Sequence, residues 1–187
     1  MTENRTELKL GAEIDKATII DEVDKWRFDL GFSLEELNAE KPWGAYWRIP
    51  DYQIKQFVAH FFPRLLQNPE IFEQNLSPKL LLVAPNQQLS WQYHERRAEN
   101  WKLVAGNLGV KLSLSDNEPE DVSMLKTGEI FTIEKGQRHR LVSLGEWGLV
   151  AEIWKHTDPR NLSNEKDIIR LSDNYGREKS IFEGKIM

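Results

Sequence analysis

Cysteine is absent from the chain, which excludes disulfides, thiolate metal sites and cysteine nucleophiles. No apolar run approaches the roughly 20 residues that a membrane span needs. The opening residues, MTENRTELKLGAEIDK, lack the apolar core of a signal peptide. Basic excess is missing too: 25 Lys and Arg against 30 Asp and Glu give a net charge of −5, so no general surface exists for a nucleic-acid backbone. There is no internal repeat, low-complexity tract or linker that would cut the chain. What is present is 40% hydrophobic and 29% charged residues over 187 positions, the balance of one globular domain with trimmings. A cytoplasmic protein with neither nucleic acid nor membrane as partner is the expectation. Seven Trp is the unusual count.

Two regimes divide the chain. Residues 1–75 read mostly helical, a segment packed on the rest, with 1–12 frayed. Ile19, Ile20, Val23, Trp26 and Leu30 recur at spacings of three and four, an amphipathic helix ended by Gly31. Ser33 and Glu36 resemble a capping box for a short turn over 34–38. The strongest helix spans 52–67, where Ile54, Phe57, Val58, Phe61, Phe62, Leu65 and Leu66 form one stripe. Pro63 should kink it or end it early. His60 lies off that stripe and reads as a surface residue.

From residue 79 the period changes. Short runs rich in Leu, Val, Ile and Trp occupy 79–84, 89–94, 101–105, 109–114, 121–125, 129–134, 138–143 and 147–155, separated by turn residues such as Pro85-Asn86, Gly106-Asn107 and Lys135-Gly136. Eight regularly spaced strands predict an all-β antiparallel sandwich or barrel over 76–187, with a polar, irregular tail after Asp158 and a helical layer in front. The acidic loop from Asp116 to Asp121 reads as a solvated turn.

The chemistry gathers in two stretches. On a strand over 89–94, Gln92 and His94 point to one face, and after a turn Glu99 opens the neighbouring strand. Gly128 begins a strand, a glycine turn at Gly136 follows, and His139 opens the next strand, able to return over the same place. An amide oxygen, two imidazoles and a carboxylate make a site with open positions. It suits Zn²⁺, Mn²⁺ or Fe²⁺ without deciding among them. Trp91 and Tyr93 alternate to the other side, to pack behind this strand or in the face of a homodimer. His156 reads as a surface residue.

These spacings resemble the two motifs of the cupin superfamily: His-x-His, four intervening residues and Glu, then Gly-x5-Pro-x-Gly-x2-His. Gln92 stands for the first His and Glu134 for the Pro, while Gly106, Gly128, Gly136 and His139 keep their places. The order Lys41-Pro-Trp-Gly-Ala-Tyr46, Leu-Ser-x-Gln-x-His-x3-Ala-Glu-x-Trp over 89–101, Gly136-x2-His139-Arg140-Leu141, Asp167-Ile-Ile-Arg170 and Asp173-x-Tyr175-Gly176-Arg177 is similar to the cupin domain of type II phosphomannose isomerases. That domain also ends bifunctional mannose-1-phosphate guanylyltransferases. The resemblance implies a double-stranded β-helix whose divalent metal, Zn²⁺ before Mn²⁺ or Fe²⁺, is held by Gln92, His94, Glu99 and His139. It implies a metal-dependent aldose–ketose isomerase for a sugar or sugar phosphate. No nucleotide loop precedes the cupin, so nucleotide-sugar synthesis is not implied. Glu95, Arg96 and Asn100 stand where the family has further histidines, and an insert over 47–78 would wall one end of the pocket.

Isomerisation needs a Lewis acid on the carbonyl and a base that moves a proton between neighbouring carbons. Glu152 is the first candidate for the base if Val150, Glu152 and Trp154 face inward. If Leu149, Ala151 and Ile153 face inward instead, Glu152 lies in solvent. Glu95 ranks below it. Arg177 would stabilise oxyanion charge or bind phosphate at the pocket mouth, and Lys79, Trp43 and Arg140 would contact substrate. The alternatives are a non-catalytic sugar-binding cupin and another metal-cupin enzyme such as a dioxygenase.

Overall fold

A computed structural model describes Leu8 and residues 10–177. The fraying expected over 1–12 falls mostly outside these residues, as does the end of the tail; Leu10 is buried. Helix α1 (Lys16–Asp29) starts where Asp15 accepts hydrogen bonds from the Thr18 amide at 3.0 Å and hydroxyl at 2.7 Å. It stops at Gly31, whose φ of 83° a side chain would oppose. Helix α2 (Ile54–Phe61) is shorter than the 52–67 stripe. Pro63 has no N–H to continue the ladder, and the stripe runs on in 3₁₀ turns Pro63–Gln67 and Pro69–Glu73. Among the described residues, no helix is long and apolar enough to cross a membrane.

The helical reading of 1–75 needs correction in its middle. Residues 36–48 form a hairpin of β1 (Glu36–Asn38) and β2 (Gly44–Arg48), so the short turn expected over 34–38 is the first strand of that hairpin. β2 is buried on both faces, so its sequence shows no alternation to reveal it. Gly44 brings this strand against β3 (Leu76–Val83), where a Cβ would meet the Leu82 carbonyl oxygen at 1.9 Å.

The remaining strands are β4 (Trp91–Tyr93), β5 (Arg97–Ala105), β6 (Leu108–Ser113), β7 (Ser123–Met124), β8 (Phe131–Ile133), β9 (Arg138–Ser143), β10 (Gly148–His156) and β11 (Ile169–Ser172). Two antiparallel sheets result, ordered β1-β2-β3-β10-β5-β8 and β11-β4-β9-β6-β7. This is the all-β double-stranded β-helix. β11 corrects the expected irregular tail: it pairs with β4, a long-range contact that four residues of sequence do not announce. His156 corrects another expectation, for it is buried, its Nε2 3.0 Å from the Ser77 hydroxyl and its Nδ1 accepting from the Ser163 amide at 2.9 Å.

Two apolar cores sandwich the first sheet. Ile19, Val23, Phe57, Phe62 and Trp47 pack on its outer face with Leu80, Leu82, Leu149, Ala151 and Ile153. Between the sheets lie Leu81, Val83, Trp101, Leu108, Leu141 and Val150. The phase of β10 follows. With Leu149, Ala151 and Ile153 under the helices, Val150, Glu152 and Trp154 point into the barrel.

Candidate metal centre and its cleft

Alternation along β5 sends Arg97, Glu99 and Trp101 inward. β4 presents Gln92, directly opposite His139 of β9 in the register. His94 follows β4, and its carbonyl accepts from the Gly136 amide at 2.8 Å, tying the turn before β9 to the end of β4. Donor atoms of His94, Glu99 and His139 consequently lie within 4.8 Å of one another, all three residues buried. His94 Nε2 stands 3.1 Å from Glu99 Oε1, and His139 Nε2 stands 3.6 Å from Glu99 Oε2.

Each imidazole is oriented through its other nitrogen. His94 Nδ1 lies 2.9 Å from the Asp167 carbonyl and His139 Nδ1 lies 2.9 Å from the Gln137 carbonyl. A carbonyl only accepts, so the proton sits on Nδ1 and the Nε2 lone pairs face the centre. Glu99 Oε2 and His139 Nε2 are buried and have no hydrogen-bond partner among the described residues. An orphaned carboxylate oxygen and an orphaned imidazole nitrogen converging on one place fit a divalent cation with N/O ligation. Gln92 lines the same cleft, its Oε1 accepting from the Ser90 hydroxyl at 2.6 Å.

Electrostatics separate the two buried carboxylates. Burial opposes ionisation of Glu99, but the Arg97 guanidinium donating to it at 2.7 Å prevails and holds it well below the usual carboxylate range. Burial, reinforced by the charge of Glu99, pushes Glu152 up to about 8 despite Lys79 and Arg97, while the Trp101 indole N–H donates to it at 2.9 Å. His139 is pushed down to about 4 by burial, against the pull of Glu99.

The enclosed space of the cleft is about 40 Å³, and it opens toward solvent. Trp43, Tyr46 and Trp154 give it aromatic walls, and Lys41, Lys79, Arg97, Arg170 and Arg177 bring five cations to its lining. Lys79 Nζ contacts Glu165 at 2.5 Å and sits 3.9 Å from the centre of the Tyr46 ring. Arg177 is held by Asp173 at 2.6 Å. Arg170 Nε is buried without a hydrogen-bond partner among the described residues.

Of the residues singled out in the sequence, Gln92, Glu99, Glu152, Arg177, Lys79 and Trp43 line the cleft, with His94 and His139 at its metal end. Arg140 does not. Adjacent to His139 on a strand, it faces the other way and binds Glu118 at 3.0 Å and the Ser172 carbonyl at 3.1 Å. Glu118 is therefore also more than a member of a solvated loop. Sequence reasoning missed Arg97, Lys41, Tyr46, Glu165 and Arg170. Alternation from Glu99 would have found Arg97, and Lys41 and Arg170 belong to the motif stretches already noted.

A sequence profile of the family described as Mannose-6-phosphate isomerase C-terminal matches residues 71–173, more than half of the chain. The chain belongs to that family. Relatives of the chain include the xanthan biosynthesis protein XanB of Xanthomonas campestris, 30% identical over 137 residues, covering 73% of this chain and 23% of XanB. A mannose-1-phosphate guanylyltransferase of Salmonella montevideo is 32% identical over 106 residues, covering 57% of this chain and 21% of the relative. The chain thus spans less than a quarter of the length of these curated relatives. A mutant of Bacillus subtilis oxalate decarboxylase OxdC superposes with a TM-score of 0.50 at 13% identity, covering 73% of this chain and 30% of that one, a likeness of fold alone.

Proposed function

We propose that the chain is a metal-dependent aldose–ketose isomerase for a sugar or, in the finer reading, a sugar phosphate. The observation that carries it is the pairing of Glu152, a buried carboxyl with its pKa near 8, with an oriented His94, Glu99 and His139 set in one cleft. Gln92, His94, Glu99 and His139 would hold the cation, with Glu99 as the single anion among them. When bound there, a divalent ion such as Zn²⁺ supplies a Lewis acid for a carbonyl oxygen.

Glu152 supplies the proton transfer. In its ionised form Glu152 would accept the proton from the carbon beside the carbonyl and return it to the former carbonyl carbon, while the neighbouring hydroxyl proton passes to the old carbonyl oxygen. Trp101 holds its orientation through one hydrogen bond to Oε1. Trp43 and Tyr46 offer apolar faces to a sugar ring. Lys41, Lys79, Arg170 and Arg177 suit an anionic end, and the name of the family supports a phosphate there.

The test is exchange at C2 of the aldose and C1 of the ketose. Mannose and aldoheptose phosphates carrying deuterium at C2, and fructose phosphate carrying it at C1, with their unphosphorylated forms, are incubated with the full chain and Zn²⁺ or Mn²⁺. Loss of label from at least one, abolished in Glu152→Gln, is the expected outcome. Retention of label across the whole panel would reduce the protein to a sugar-binding cupin, and oxygen uptake restricted to Fe²⁺ would make it an oxygenase.

A further inference from the structure

Arg97 is a buried cation inside the candidate metal centre, its side chain 2% exposed. Its Nε donates to Glu99 Oε1 at 2.7 Å, and its Nη2 lies 3.1 Å from His94 Nε2. Its Nη1 donates to the Ser163 hydroxyl at 2.9 Å and to the Asn164 carbonyl at 3.2 Å, and the guanidinium lies 3.8 Å over the Trp154 ring. Four of its five N–H groups are engaged inside the protein, so it is not placed to grip a substrate.

The ligand atoms are therefore divided. Glu99 Oε2 and His139 Nε2 have no hydrogen-bond partner, whereas Glu99 Oε1 and His94 Nε2 are covered by one guanidinium. With its Nδ1 proton given to the Asp167 carbonyl, His94 has a single lone pair, at Nε2, and a guanidinium can only donate to it. A divalent cation and Arg97 cannot both use that lone pair, and in a buried site their like charges repel strongly.

The other arm of Arg97 reaches a segment wired to the rest of the cleft. The Ser163 hydroxyl also donates to Asp167 Oδ2 at 2.6 Å, and Asp167 Oδ1 and Oδ2 accept from the Glu95 and Arg96 amides. Glu165 of the same segment pairs with Lys79 at the substrate end.

We propose that Arg97 is a positioning residue that guards the metal centre: its guanidinium competes with the divalent cation for His94 Nε2 and Glu99 Oε1, so that metal loading moves it and loosens residues 163–167. The inference rests on the metal reading above. It gives the cleft a means of sensing metal at the wall that carries Glu165, and it keeps a positive charge beside the cation that weakens its binding.

The experiment is a chelator competition for Zn²⁺ and Co²⁺ with the full chain, its Arg97→Leu variant and a His139→Ala control. Leucine offers neither a donor nor a ligand atom. Arg97→Leu is expected to bind either ion at least tenfold more tightly than the parent, a gain that a merely structural role would not produce; equal or weaker binding overturns the proposal. If parent and His139→Ala bind alike, no cation uses this set, and the metal reading falls together with the guard. Amide hydrogen exchange at 163–167 in the unaltered protein provides a second measurement should the leucine variant not fold. Saturating Zn²⁺ is expected to speed exchange there at least threefold, and unchanged or slower exchange overturns the guard even where metal binding is intact.

Discussion

Strands β3 and β10 show two faces of the same backbone with opposite chemistry. Under the helices, Leu80, Leu82, Leu149, Ala151 and Ile153 are fully buried among apolar neighbours. Toward the barrel axis, Lys79 faces the cleft beside Leu81, and Glu152, paired in register with both Lys79 and Trp101, faces it beside Val150. A period of two separates stability from reactivity by one residue. The helical layer makes this affordable: a second core outside the sheet lets the inner face bury a carboxyl at pKa about 8 and a guanidinium, both of which burial penalises.

The sharpest test of that division removes His139, which touches the centre and nothing of the outer core. His139→Ala should lower turnover by about a thousandfold, because a Lewis acid supplies several kcal/mol and each 1.4 kcal/mol is tenfold. Metal content should fall with it while the melting temperature moves little. Glu152→Gln comes next, with turnover down by about 10²- to 10⁴-fold and metal affinity kept. The parent's rate should climb with pH as Glu152 ionises, at a lower pH than in the metal-free protein because the cation offsets the charge of Glu99, and that limb should vanish in the variant.

Stability carries the same signature with a definite sign. Glu152 is raised in the fold from the ordinary 4.5 to about 8, so the native state holds its proton longer and stability falls as pH rises across that window. His139 is lowered from 6.5 to about 4, so stability rises with pH between those values. Denaturation series of parent and Glu152→Gln should therefore diverge between pH 6.5 and 8, the parent losing stability and the variant holding level. On the outer face the effects reverse: Ile153→Ala should cost about 2–5 kcal/mol in unfolding and leave turnover per folded molecule intact.

How much of this was legible in the sequence depends on which strands are bounded by turn residues. β6 and β9 are bounded by clear turn residues, and the runs 109–114 and 138–143 match them closely. β2 has four successive buried residues and β11 gains its place from pairing with β4, so neither prints a period. The convergence of His94, Glu99 and His139 was readable because two motifs and one glycine turn set it. The facing of Glu152 was not, because β10 is buried on both sides and apolar residues occupy both phases; only the helices packed on Leu149, Ala151 and Ile153 decide it. Arg140 is the opposite case: its adjacency to His139 already placed it on the other face.

That misplacement yields the smallest expected effect and the cleanest contrast within one residue type. Arg140 bonds Glu118 and Ser172 outside the cleft, so Arg140→Ala should leave KM unchanged and cost about 1–3 kcal/mol, since Glu118 would keep a partly buried carboxylate with one cation fewer. Arg177 lines the cleft and is a quarter exposed, anchored by Asp173 alone among acidic partners within the described residues. Arg177→Ala should therefore raise KM for a phosphorylated sugar about tenfold, by loss of one charge-assisted contact, and barely shift the melting temperature. Steady-state kinetics and thermal denaturation on the two variants read both quantities. A KM effect from Arg140, or none from Arg177, would mean that the cleft opens to a different side of the barrel than the one lined by Lys79 and Glu152.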